Sequence, residues 1–252
     1  SPIDLYKQIK TINIEIEKKK GFDKMNTLQG IKVDKRINYK LVVDIETANF
    51  IEDALAYDIG FAVADKKGRI YYTDSLMIAD MFIDNKELLK SAYYAEKIPN
   101  YWVDYRNGSR RLVTFYTAKK IIKEVMEYFG IKQVYAYNAR FDYIGLNRTY
   151  RYLTKSKYRY FFPYGTEVHD IMKMAKQVLF TQKQFKEFAL KNNLKTPSGR
   201  FLSNTAETAY KYILRETDFT ESHTGLEDVL IECKIMAKCF AQHKSMNSRL
   251  FK

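Results

Sequence analysis

The sequence predicts an α/β layered fold, and three observations carry that prediction. Three apolar runs rich in β-branched and aromatic residues follow one another from residue 40 with no helical stretch between them. Helical and strand patterns then alternate to residue 243. Hydrophobic residues make up 46% of the 252, which fills a sizeable core without disulfide or metal staples.

Residues 1–38 are polar and lysine-rich and read as a helical, basic N-terminal extension, with Lys18, Lys19 and Lys20 on a solvated face. From residue 39 the pattern becomes that of a folded domain running to 245. "LVVDIETA" (41–48), "AYDIGFAVAD" (56–65) and "RIYYTDSLMI" (69–78) read as strands, and "DKKG" between the last two marks a hairpin turn. Residues 84–112 read as irregular and charged, with a turn at Asn107-Gly108. "TAKKIIKEVMEYFG" has helical periodicity and a C-terminal cap at Gly130. A strand, "KQVYAYNA", and a helix, "DYIGLNRTYRYLTK", follow. The extended stretch "RYFFPYGTEVHD" leads into helices from about 170 to 193. The last helix, "GLEDVLIECKIMAKCFAQH", carries an apolar stripe at Leu226, Val229, Leu230, Cys233, Met236, Ala237 and Phe240. Residues 246–252 read as a tail.

Net charge bounds the partners. With 43 Lys and Arg against 30 Asp and Glu, the chain carries +13, which points to a polyanion, either nucleic acid or an anionic membrane surface. No run approaches 18 apolar residues, and the first 30 are charged without an apolar leader, so the reading is a cytoplasmic chain with no membrane span. Cys233 and Cys239, six apart on one helix, diverge by about 240° and cannot share a metal, so both read as plain thiols.

Chemistry enters with Asp44 and Glu46. Positions i and i+2 of a strand share a face, and two half-buried like charges repel and lose hydration. A divalent cation between them is the strongest remedy. A solvated strand end is the plainer reading, because 30 acids in 252 residues make roughly one Asp-x-Glu triplet by chance. Two further segments add to the first. "YAYNARFDYIGLN" places Asp142 in the first turn of a helix, just past a strand. "SHTGLEDVLIE" holds His223 and Asp228, and Gly225 lets the histidine sit in the loop while the aspartate takes the first helical turn.

In order, "VVDIET", "AYNARFD" and "HTGLED" resemble the three motifs of the DEDDh (DnaQ-like) 3′–5′ exonuclease family, within the ribonuclease H-like superfamily. The resemblance covers about residues 40–240. It extends weakly to members from phages and mobile elements. It implies a mixed central sheet, three antiparallel strands followed by parallel ones, flanked by helices. It also implies two divalent cations, Mg²⁺ or Mn²⁺, held by Asp44, Glu46, Asp142 and Asp228, with Asp44 bridging and His223 as general base. Backbone at Thr47 and Ala48 would meet the terminal 3′-hydroxyl, Asn138 would order the motif-two loop or touch substrate, and Phe141 would line the nucleotide pocket. Ordinary core packing stands equally open for Phe141.

"VHDIMKMA" resembles the family's strand-to-helix segment, where Asp170 has a structural hydrogen-bonding role or a metal-binding one. His169-Asp170 also matches the paired ligands of HD phosphohydrolases, but that fold needs an earlier histidine and none precedes residue 169. His243 reads as solvent-facing.

The expected activity is release of nucleoside 5′-monophosphates from the 3′ end of single-stranded DNA. RNA is the alternative substrate, and a non-catalytic nucleic-acid-binding or polymerase-associated module, acting with a replication partner, is the alternative class. Residues 148–165, "RTYRYLTKSKYRYFFPYG", interleave Arg148, Arg151, Lys155, Lys157 and Arg159 with aromatic rings. They read either as a grip on phosphates and bases or as a charged helix face followed by a strand burying aromatics.

Overall fold

The computed structural model of the chain describes residues 28–49, 53–154 and 156–251. β1 (Lys40–Ala48) pairs antiparallel with β2 (Leu55–Ala64), and β2 with β3 (Ile70–Ile78). The Asp65–Gly68 turn closes the second hairpin, with Gly68 at φ 78°. On the other side of β1, β5 (Gln133–Ala136) and β6 (Glu167–Asp170) add in parallel, and with β4 (Arg111–Val113) the order is β4-β3-β2-β1-β5-β6. β4, parallel to β3 at the far edge, lies in a stretch expected to be irregular.

That stretch also holds helix α1 (Ile98–Asn107). Its signal is in the sequence: Ile98, Tyr101, Trp102 and Tyr105 recur at i, i+3, i+4 and i+7. Pro99, Asn100 and the charged residues on either side hid the period, and the Asn107-Gly108 turn is the helix's left-handed C-terminal cap, with Gly108 at φ 83°.

Helices cover both faces of the sheet. Under α2 (Phe115–Phe129) and α3 (Ala139–Thr154) lies the larger core, with Leu41, Val43 and Ile45 of β1 pointing into it. Under α4 (Ile171–Val178), α6 (Ala206–Leu214) and α7 (Gly225–Phe240) lies a second core, reached by Val42. α5 (Lys183–Lys191) packs with Tyr212 around a smaller cluster. α6 was not legible as a helix in advance, although Thr205 caps it by accepting the Thr208 N–H.

α7 buries a broader face than the apolar stripe read in the sequence, with Val229 and Met236 of that stripe fully inside. Leu230 is exposed, while Ile231, Glu232, Ile235 and Cys239 are buried. Cys233 is buried too, and both cysteines are free core thiols.

Of the expected N-terminal helix, residues 1–27, with Lys18–Lys20, lie outside the described part. Only Leu28 and Gln29 of the remainder are helical. Leu28, Ile31, Val33 and Ile37 pack on the larger core, and the Tyr128 hydroxyl donates to the Ile31 carbonyl. The segment from Met246 lies along β6: Asp170 N–H donates to the Ser248 carbonyl and Leu250 N–H to that of Val168, both at 2.8 Å. No helix among the described residues is long and apolar enough to cross a membrane.

Candidate active site

Strand alternation puts Asp44 and Glu46 on the face of β1 shared with Val42, so both half-buried carboxylates turn toward α7. α7 comes close enough to meet them because neither chain carries a side chain at the crossing. A Cβ on Gly60 would stand 2.1 Å from the Gly225 carbonyl carbon, and one on Gly225 would stand 2.6 Å from the Gly60 nitrogen. Gly60 is the cross-strand partner of Asp44.

A buried ionic network pins this contact. Asp58 is fully buried and accepts from Gly225 N–H at 2.9 Å and the Tyr101 hydroxyl at 2.7 Å. Arg110 lies 3.6 Å from Asp58 and reaches Asp104 at 2.9 Å and Glu227 at 3.1 Å. One turn into the helix, Asp228 then falls over β1. Carboxylate oxygens of Asp44, Glu46 and Asp228 lie within 4.8 Å of one another.

Asp142, in the first turn of α3, is buried and reaches the same strand. Its Oδ1 accepts the N–H of Ile45, the residue between the two β1 acids, at 3.2 Å. His223 sits in the loop before α7 at φ 53°. Its ring stacks on Tyr94, centroids 4.2 Å apart and planes 9° from parallel, and its Nδ1 is 4.0 Å from Glu221. Lys97 donates to the Ser222 carbonyl and holds its ammonium 5.1 Å from the Tyr94 ring centroid. Tyr94 and Lys97 thus brace the histidine loop from a segment where no element was expected.

A cleft of about 290 Å³ joins Asp44, Glu46, His223 and Asp228 with Asn138, Glu221 and Glu232. Asn138 is left-handed at φ 61°, and its N–H donates to Asp170 Oδ1 at 3.1 Å. Asp170 also caps α4 by accepting the Met172 N–H, so its contacts are structural. Asp142, Thr47, Ala48 and Phe141 are not on the cleft wall. Ala48 is buried in the larger core and Phe141 packs against it.

Sequence reasoning missed Glu232, Glu221, Asp58, Arg110, Tyr94 and Lys97. Glu232 had a signal, since it stands four residues after Asp228 on the same helical face. It is buried and accepts the Tyr137 N–H at 3.2 Å.

So many acids in one place hold protons tightly. Burial, then Glu232, Asp142, Glu46 and Asp228, push Asp44 well above the usual carboxylate range. Burial is the leading cause for the others as well, taking Glu46 to about 9, Asp142 to about 8, and Asp228 and Glu221 each to about 7. Lys97 offsets part of this for Glu46, Glu221 and Asp228. Burial and then Lys97 move His223 the other way, below the ordinary imidazole value. All donors in the cluster are carboxylates, hard oxygens in mutual repulsion, and that set fits Mg²⁺ or Mn²⁺.

The mixed six-stranded sheet flanked by helices is a fold shared with solved 3′-exonucleases. A solved structure described as a 3′-exonuclease in 3′-end-specific recognition of the histone mRNA stem-loop superposes with a TM-score of 0.51 at 12% identity. It covers 93% of this chain and 76% of its own. A full-length 3′-exonuclease superposes at 0.50 and 12%, over 87% of this chain and 66% of its own. No protein-family model matches the sequence, and no curated protein does.

Proposed function

We propose that the chain is a metal-dependent 3′–5′ exonuclease of the DEDDh type, with residues 39–245 as its catalytic unit. The observation that carries this reading is the meeting of Asp44, Glu46 and Asp228 within 4.8 Å, in a cleft that His223 also lines. Asp44, Glu46, Asp142 and Asp228 would hold two divalent cations. When bound, these offset charge on the scissile phosphate and lower the pKa of water.

The chain's own residues supply the rest. His223, neutral at working pH because its pKa is depressed, takes the proton of the attacking water. Tyr94 stacks on its ring and holds it in place. Asn138, on the cleft wall, receives the terminal nucleotide; the backbone at Thr47 and Ala48 and the Phe141 ring lie off that wall and are proposed to meet it only outside the cleft.

Single-stranded DNA is the proposed substrate. RNA is the second reading, favoured by the stem-loop RNA that the structurally similar 3′-exonuclease recognises. The test is digestion of 5′-labelled single-stranded DNA, duplex DNA and RNA with Mg²⁺, Mn²⁺ or chelator. We expect metal-dependent release of nucleoside 5′-monophosphates, abolished in Asp44→Ala. Full activity of that variant overturns the assignment.

A further inference from the structure

Away from the acidic cleft lies a groove of about 900 Å³ whose lining includes no residue of that cleft. One wall is the outer face of α2. Phe115, Ala118, Ile122, Val125, Met126 and Phe129 bury its inner face, leaving Tyr116, Lys119, Lys120 and Lys123 at i, i+3, i+4 and i+7 along the groove. Tyr143 and Tyr150 of α3 line it as well, with the Lys119 ammonium 5.1 Å from the Tyr150 ring centroid.

The opposite wall is the irregular segment Tyr158–Thr166. Here the aromatics of the basic-aromatic stretch sort by chemistry. Phe161 and Phe162 are buried and anchor the segment: Phe161 packs on Phe115, and its N–H donates to Asn147 Oδ1 at 2.7 Å. Tyr158, Tyr160 and Tyr164 instead stand out at 77%, 62% and 108% exposure. Burying aromatics accounts for the two phenylalanines and leaves the three tyrosines unexplained.

The lining contains Lys119, Lys120, Lys123 and Arg159 and no Asp or Glu. Lys120 and Lys123 share their charge with Glu124 and Glu127 at 3.9 and 3.7 Å, both beyond the groove wall. Open tyrosine faces between positive charges suit unpaired bases on a phosphate backbone. A flat apolar partner would not need the lysine row, and a duplex would leave the rings without bases to stack on.

We propose that this groove binds single-stranded nucleic acid, holding a strand away from the end that enters the acidic cleft. α3 links the two regions, with Asp142 facing β1 and Tyr143, the next residue, lining the groove. The proposal rests on the nuclease reading for its substrate class, and the experiment separates the two.

In the 252-residue chain carrying Asp44→Asn, with chelator, fluorescence anisotropy measures binding of labelled trinucleotides and 12-mers of DNA and of RNA. The 12-mers should bind far more tightly than the trimers. Tyr116→Ser/Tyr164→Ser, both at open positions, should cost 12-mer binding about tenfold and leave the trimer values as an internal reference. Lys119→Gln/Lys120→Gln/Lys123→Gln should lower the slope of log K against log[salt] by about 2. Tyr164→Ser/Lys120→Gln is a lighter variant that leaves the anchoring phenylalanines untouched, and it should weaken the 12-mer in the same direction.

Unchanged 12-mer affinity and salt slope in these variants, with wild-type melting, overturn the groove. So does equal weakening of trimer and 12-mer. Groove-dependent binding by a chain that hydrolyses nothing upholds the groove and removes the nuclease reading. Hydrolysis with groove-independent binding does the reverse. Parallel DNA and RNA arms show which sugar the groove accepts.

Discussion

Asp44 shows how a site opposes the fold that carries it. It stands near Asp142, Glu46, Asp228 and Glu232, and burial together with those charges holds its proton on. Replacing it with the neutral isostere removes the cost of protonating this carboxyl on folding, as well as a ligand. Asp44→Asn should therefore raise stability in chelator at pH 8 by about 1 kcal/mol, or ~2–4 °C in melting temperature, while activity disappears. A calorimetric scan showing lower stability would contradict this account of the acids. His223 makes a separate prediction. As general base it contributes about 10²–10⁴ in rate, so His223→Ala should lower kcat by that factor with intact folding. Because its pKa is depressed, the acid limb of the wild-type pH–rate profile should lie below the ordinary imidazole value and vanish in the variant. A limb that survives the substitution would remove His223 from the proton transfer.

At the scale of the element, the decisive contact is α7 against the hairpin of β1 and β2. Asp228 belongs to the site only because α7 crosses at Gly60 and Gly225, where backbones touch. Gly60→Ala should push the helix start off the sheet, costing about 1–3 kcal/mol and most of the activity even though no ligand is altered. Denaturant titration and initial rates measure both effects, and a variant that keeps wild-type rates would show the crossing to be slack. Asp58 and Arg110 belong to the same contact, and their role was invisible in one dimension. Asp58 reads as an ordinary polar residue in a strand until the register sets it opposite Glu46 and the fold brings Tyr101 and Gly225 onto it. α1 was missed for a similar reason: it is short, and its buried residue, Tyr101, packs on Tyr57 of β2 and on Phe82, both far from it in the chain.

For the whole molecule, the acids' proton affinity becomes a pH dependence of stability. Glu46, Asp142 and Asp228 are raised to about 9, 8 and 7, against roughly 4 for unfolded carboxylates. Between these limits the folded chain binds more protons than the unfolded one, so stability falls as pH rises. In chelator, the melting temperature should therefore decline steadily from pH 6 to 9. Millimolar Mn²⁺ should abolish most of the decline, because bound cations replace the protons. A profile that is flat without metal would mean the acids are solvated and the cluster too loose to hold an ion. The +13 net charge is a further whole-molecule property, and the groove beside α2 gives part of it a location.

Alternation along a strand, the spacing of helix positions and the identity of the acids are local, and the chain alone determined them. From those alone came the three-strand meander, the same-face pair Asp44 and Glu46, the loop position of His223 before a helix carrying Asp228, and a charge that calls for a polyanion. The three-dimensional structure decided which acids share a volume, that Glu232 and Glu221 join them, which face α7 turns inward, and that Phe161 and Phe162 are buried while Tyr158, Tyr160 and Tyr164 are not. Those outcomes depend on the register of distant strands and on close backbone approach between residues more than 160 positions apart, as at Gly60 and Gly225. Local periodicity carries no information about either.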